Sequence, residues 1–241
     1  MKRVHFLIGL FFSISLLLAL LVTSIEAALY WSPGYFEKEY HKYDVTEEVN
    51  MEMDDLLDVT EVMMDYLKDK REDLQVVAFV DGGWRSFFSQ RELEHMVDVK
   101  NLFLAGLALR RICLIIAGAS AVLLYLLKGK LSSILPRSMC IGTGLFFSAV
   151  CLLAVIISTD FTKYFTIFHE IFFDNDLWLL NPNEDLLINI VPEPFFVDTA
   201  ARIAIIFGSS VLLLLAVCLL SLYHQRQKGR RHQKKTMDSA I

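Results

Sequence analysis

The sequence predicts an all-α membrane protein: four transmembrane helices, a small extracytoplasmic α+β head, and an interfacial or re-entrant outer loop. Three observations predict it. Residues 6–25, 102–127, 139–158 and 203–223 are apolar runs long enough to span a bilayer, which takes roughly 20 residues. The segments flanking these runs alternate in charge. The two long segments of the acidic side carry apolar and turn patterns of their own, where a plain connection needs only a few small polar residues.

Charge assigns the sides. Lys2 and Arg3 precede the first span, and Lys128, Lys130 and Arg137 lie between the second and third with no acid among them. The tail holds Arg226, Lys228, Arg230, Arg231, Lys234 and Lys235 against Asp238. Positively charged flanks stay inside, so both termini and the 128–138 loop are expected in the cytoplasm. Residues 31–101 carry 18 acids against 8 bases, and residues 159–201 carry 8 acids against Lys163. Both belong outside. The expected organisation is a first transmembrane segment (1–27), the head (28–101), a second span (102–127), a cytoplasmic loop (128–138), a third span (139–158), the outer loop (159–202), a fourth span (203–223) and a basic tail (224–241).

The first span reads as a retained anchor. Its apolar core, residues 6–22, exceeds a signal-peptide core, and Ile25-Glu26-Ala27 is a poor cleavage site. In the head, Thr46 is placed to cap one helix running to about Arg71, with Val49, Met53, Leu56, Leu57, Met64 and Leu67 at helical spacing. Two β-prone runs around Asp81-Gly82-Gly83 predict a tight hairpin. Ser89-Gln90-Arg91-Glu92 has capping-box spacing and opens a helix that continues into the second span. On that helix His95 and Asp98 share a face, and Lys100 lies on a neighbouring strip.

Span two is interrupted by Arg110 and Arg111. Counted back from Lys128 at 1.5 Å per residue, Arg110 lies roughly 27 Å away, near the outer hydrocarbon edge. These arginines either snorkel to headgroups or hold a carbonyl or phosphate of a lipid. The cysteines Cys113, Cys140, Cys151 and Cys218 all fall within spans and read as small packing residues. The basic tail reads as a flank touching anionic lipid headgroups, and nucleic acid is not expected as a partner.

The outer loop is the most distinctive segment. Phe161, Phe165, Phe168 and Phe172 form one stripe of an interfacial helix. Asp174-Asn175-Asp176 breaks it, Trp178 is an interfacial anchor, and Asn181-Pro182-Asn183 is a turn. The apolar run 186–191 is too short to span and is closed by Pro192 and Pro194.

Of the histidines, His5, His224 and His232 lie at span ends or in the cytoplasm, and His41 lies in a charged, solvated stretch. His95 and His169 differ, because each sits beside acids near an outer membrane face. A His-x-x-Asp with a second His has the makings of a zinc site, but no HExxH-type spacing supports a metal. No G-x-S-x-G supports a serine nucleophile. Transport is disfavoured, since spans one, three and four bury no ionisable residue. An acidic head on four spans also suits a non-enzymatic partner-binding, accessory or sensor protein. Loss of either histidine separates that reading from an enzyme.

Two stretches, RELEHMVDVKNLF from Arg91 and FHEIFFDNDLWLLNPNEDLLINIVPEPFF from Phe168, resemble the lipoprotein intramolecular transacylases (Lit) of Gram-positive bacteria, once an uncharacterised four-span membrane family. Phe168-His169, Phe172-Phe173, Trp178, Pro182, Asp185 and Pro192 carry the resemblance, which extends over nearly the whole chain. It implies an enzyme that moves one acyl chain from the diacylglyceryl ester of a diacylated lipoprotein to the α-amino group of its N-terminal cysteine. The family's two important histidines fall on His95 and His169. On this basis His169 is expected as principal base and His95 as its partner. Asp98 is expected to fix the tautomer of His95, and Arg110, Trp178 or Asn181 to polarise the ester carbonyl. Lys100, Arg111 and Asp185 are supporting candidates. The partners are then lipoprotein and membrane lipid. The protein is expected to be a monomer in the bacterial cytoplasmic membrane, with its site at the outer leaflet. No cofactor is expected, because conversion of an ester to an amide is downhill.

Overall fold

The computed structural model describes the backbone of residues 2–238 and the side chains of residues 3–230. The side chains of Lys2, Arg231, His232, Lys234, Lys235 and Asp238, which enter the charge argument, lie outside the described residues. The chain runs α1 (Lys2–Tyr30), α2 (Tyr35–Lys42), α3 (Val45–Glu48), α4 (Met53–Leu67), β1 (Val77–Val80), β2 (Gly83–Ser86), α5 (Gln90–Leu126), α6 (Leu131–Ser158), α7 (Phe161–Phe172), α8 (Leu187–Ile190) and α9 (Glu193–Asp238). Among the described residues, α1, α5, α6 and α9 are long and apolar enough to cross a membrane. The fold is the predicted one: helical, with four candidate membrane helices and a small two-stranded sheet.

The chain divides into two compact units. The membrane unit takes residues up to 25, 109–156 and those from 203 onward. In it, α1 and α6 approach through small residues. A Cβ on Gly9 would lie 2.2 Å from the Ser138 hydroxyl, and one on Gly142 would lie 2.7 Å from the Ser13 Cβ. Gly9 and Ser13 face Ser138 and Gly142 as reciprocal small pairs four residues apart, the pattern that lets membrane helices pack closely. Leu17, Met139, Phe207 and Val211 fill the space between α1, α6 and α9. Ile115, Leu152 and Leu213 remain exposed, giving α5, α6 and α9 apolar outer faces. Cys113 and Cys218 are buried as packing residues, whereas Cys151 is exposed on α6.

The head unit takes residues 26–108 and 157–202. Its core joins Tyr40, Leu56, Val59 and Met63 of the first helices to Ala78 and Val80 of β1, Phe87, Phe88, and Met96 of α5. Leu187 and Ile190 of α8 are buried in the same cluster, so residues 157–202 build one body with residues 26–108. The hairpin pairs Val80 with Gly83. Its two-residue turn places Asp81 (φ 53°) and Gly82 (φ 79°) in left-handed conformations, as a type I′ turn requires.

Two expectations are corrected here. The helix expected from Thr46 is two helices, α3 and α4, and Thr46 caps neither. Asn50 sits at φ 49° between them and donates to Asp81 at the hairpin (3.2 Å), so a tertiary contact holds the break. The stretch before Thr46 is also helical, as α2. Finally, α9 begins at Glu193, so residues 193–202 are helical where a loop was expected. Pro194 falls in its first turn, where a missing N–H leaves nothing unpaired.

Candidate active site

The N-terminus of α5 is fixed by the predicted capping box. Ser89 N–H donates to Glu92 Oε2 (2.6 Å) and Glu92 N–H to Ser89 Oγ (3.2 Å). One turn on, His95 lies on the same buried face and is 6% exposed. The second element is α7, opened by Asp160, whose side chain accepts the Lys163 N–H. His169 lies in its last turn and is 8% exposed. The two imidazoles meet with ring centroids 6.1 Å apart and planes 33° from parallel.

Aromatic rings surround the pair. Phe165 lies edge-on to His169 at 4.4 Å, and Phe173 stands edge-on to His95 at 5.3 Å. Trp178 stacks on His169 at 4.9 Å and 29°. The phenylalanine stripe of α7 is therefore divided in use. Phe165 packs on the histidine, Phe168 touches it edge-on at 5.4 Å from an exposed position, and Phe172 remains exposed.

The rings differ in hydrogen bonding. His169 Nδ1 is 2.7 Å from the Phe165 carbonyl, which only accepts, so Nδ1 carries the proton. In the neutral ring Nε2 is then the basic nitrogen. His95 Nδ1 is buried with no hydrogen-bond partner. Burial, helped by the neighbouring His169 and opposed by Asp98, lowers the pKa of His95 to about 4. Burial also lowers that of His169, against the raising effect of the Phe165 carbonyl. Both rings are neutral at pH 7, as proton acceptors must be.

The segment between α7 and α8 is clasped to α5. Arg91 donates to the Asp176 carbonyl, and Asn175 Nδ2 donates to Asp98 Oδ2 (2.9 Å). Ser89 Oγ donates to Asp185 Oδ1 (2.9 Å), and the Leu187 N–H donates to Glu92 Oε1 (2.5 Å). A family model described as "Lipoprotein intramolecular transacylase Lit" matches residues 10–196, well over half of the chain.

The chain belongs to the lipoprotein intramolecular transacylase (Lit) family.

Lit is an acyltransferase family, and this member is a multi-pass membrane protein of the Lit fold. An in meso structure of the membrane-integral Lit from Bacillus cereus is 22% identical, with a TM-score of 0.76 over 94% of this chain and 100% of that one. Two further structures of that protein, with a histidine changed to arginine or to alanine, give TM-scores of 0.75 at 22% identity. They cover 94% of this chain and 96% and 97% of theirs. No curated protein sequence matches the chain.

Within this Lit chain, the fold brings three of the predicted site residues together: His95, His169 and Trp178. The others are placed differently. Asp98 accepts from Asn175 and makes no hydrogen bond to His95, so it does not set that ring's tautomer. Lys100 pairs with Asp69 (2.7 Å) and lies over the Tyr66 ring, a brace within the head. Asn181 Oδ1 accepts from the Asn183 backbone and side-chain nitrogens, so it closes the predicted turn (3.1 and 3.2 Å). Asp185 is buried, taking the Asn181 N–H (2.8 Å) as well as the Ser89 hydroxyl. Arg110 and Arg111 fall in the membrane unit rather than in the unit that holds the histidines, and Arg111 is exposed.

Sequence reasoning missed Phe165 and Phe173 as ring partners, and Glu92 as a bond to α8. The capping-box spacing located Glu92 but gave no sign that its second oxygen reaches Leu187. Among the described residues, no three His, Cys, Asp or Glu side chains form a metal-holding group.

Proposed function

We propose that this Lit member moves an ester-linked acyl chain of a diacylated bacterial lipoprotein to the α-amino group of the same lipoprotein's N-terminal cysteine, with His169 as base. The observation that carries this reading is the pairing of two buried imidazoles 6.1 Å apart. Family membership supports the substrate class. The positive-inside charge pattern supports a site at the outer leaflet, with both termini cytoplasmic.

In the reaction, the amine nitrogen attacks the ester carbonyl carbon and the C–N bond forms. His169 Nε2 takes the proton that the amine loses. The tetrahedral centre collapses with cleavage of the carbon–oxygen bond to glycerol, and the proton passes to the departing glyceryl oxygen. The products are an amide and a free hydroxyl. General acid–base assistance of this kind is worth roughly 10²–10⁴-fold. Donor and acceptor belong to one molecule, so orientation within the site lowers the barrier further. His95, buried against the same space, is the partner that orients the reacting groups or relays a proton. The aromatic walls of Phe165, Phe173 and Trp178 exclude water, which suppresses hydrolysis of the ester.

The test is tandem mass spectrometry of N-terminal lipopeptides from a diacyl-lipoprotein host expressing the chain, with and without His169→Ala. Transfer leaves intact mass unchanged, so fragmentation has to locate the chain. An acyl group on the cysteine nitrogen, absent in the variant, supports the reading. Unchanged glyceryl diesters with the protein present in the membrane overturn it.

A further inference from the structure

Asn175 lies between the end of α7 and the tryptophan that covers His169, and each of its polar groups facing this region is used. Its side-chain Oδ1 accepts the Leu177 N–H (3.1 Å), an Asx turn that folds the chain back. Its backbone carbonyl accepts the Trp178 indole N–H (2.9 Å). Its Nδ2 donates to Asp98 Oδ2 (2.9 Å), on α5 one turn beyond His95.

We propose that Asn175 is a positioning residue of the transfer reaction. By bonding Asp98 and Trp178 at once, it fixes the indole over His169 relative to the helix that carries His95. The inference rests on the reading of His169 as the base. The donor and acceptor pattern calls for an amide. A carboxylate at 98 only accepts and an N–H at 177 only donates, so the side chain between them has to do both. Asp at 175 keeps the turn but sets a like charge against Asp98. Gln is one methylene too long to close the same turn. These bonds lie at an exposed surface, where they contribute little to stability. Their loss therefore shows in rate rather than in melting.

The test uses the full-length chain in nanodiscs with a synthetic diacyl lipopeptide, and reads kcat, KM and Tm. The variants are Asn175→Asp, Asp98→Asn, the exchange carrying both, and His169→Ala as reference. Asn175→Asp is expected to lower kcat by up to about 100-fold, the scale that misplacement of a reacting group reaches, at unchanged KM and Tm. In the exchange the amide sits on α5 and donates across the same gap, while the carboxylate at 175 still accepts the Leu177 N–H. Most of the lost kcat should return. A wild-type kcat in Asn175→Asp alongside an inactive His169→Ala overturns this inference and leaves the function standing. An exchange no faster than Asn175→Asp also overturns it. A fully active His169→Ala overturns the functional reading itself, and this inference with it.

Discussion

The indole of Trp178 lies over the imidazole of His169, ring centroids 4.9 Å apart and planes 29° from parallel. The indole N–H is tied to the Asn175 carbonyl, so the ring is held from its edge while its face covers the histidine. A base held this way is desolvated on that face and restricted in its rotation. Both effects favour a neutral, oriented Nε2.

Trp178→Leu should retain the fold and lose transfer. Its ring is only partly buried, so stability should change little. We expect a fall in transfer rate of up to about 100-fold, the scale of a misplaced reacting group. Trp178→Phe keeps a stacking face without the N–H and should fall between the two. Measurement of single-turnover transfer on a lipopeptide checks the order; equal rates in all three would refute it.

His169→Ala and His95→Ala should each cost roughly 10²–10⁴-fold, the scale of general acid–base help. The double variant should be little worse than the slower single one, because residues acting as one unit are not additive in their effects. Strict additivity would show that the rings act independently.

The pH dependence follows from the downward shift of both rings. His95 titrates at about 4, so above about pH 5 it gains no further basic form as pH rises. The remaining proton is on the substrate α-amino group, ordinarily at about 7.7–8.0. Transfer should therefore climb from pH 6 and level off above about 8. Asp98, one turn from His95, acts on that ring in the raising sense, against burial and His169. A midpoint at the ordinary histidine value of about 6.5 instead would show a ring titrating as though solvated.

Glu92→Ala should destabilise the head by about 2–3 kcal/mol, since it leaves both the Ser89 and Leu187 N–H groups without their acceptor. Glu92 is fully buried, so no water replaces the carboxylate without rearrangement. Glu92→Gln retains an acceptor oxygen and should cost less. Thermal melting of the purified protein compares them, and an unchanged Tm in the alanine variant would contradict the account.

Gly142→Leu should disrupt the membrane unit, because even a Cβ there would lie 2.7 Å from that of Ser13. Gly144, with nothing within 4 Å of an added Cβ, is the control and should accept leucine. Yield and melting temperature in detergent distinguish the two sites.

Much of this was legible in the chain because it depends on neighbours within about four residues. Ser89 and Glu92 read as a capping box and form one. Asp81-Gly82 reads as a tight turn and supplies both positive φ angles. The four apolar runs follow from length and composition alone. His95 and His169 stood out by their acidic neighbours, yet those neighbours are not what they use. Glu170 is exposed, and Asp98 turns to Asn175.

The sequence by itself determined the four spans, the hairpin, the Ser89–Glu92 cap and the two histidines worth watching, since periodicity and turn chemistry act locally. Only the tertiary structure decided that α8 fills the head core, that Asn50 breaks a helix by reaching the hairpin, and that His95 meets His169 under Trp178. Those outcomes depend on packing between segments far apart in the chain. There the burial of apolar rings and the need to pair buried polar groups outweigh any local preference.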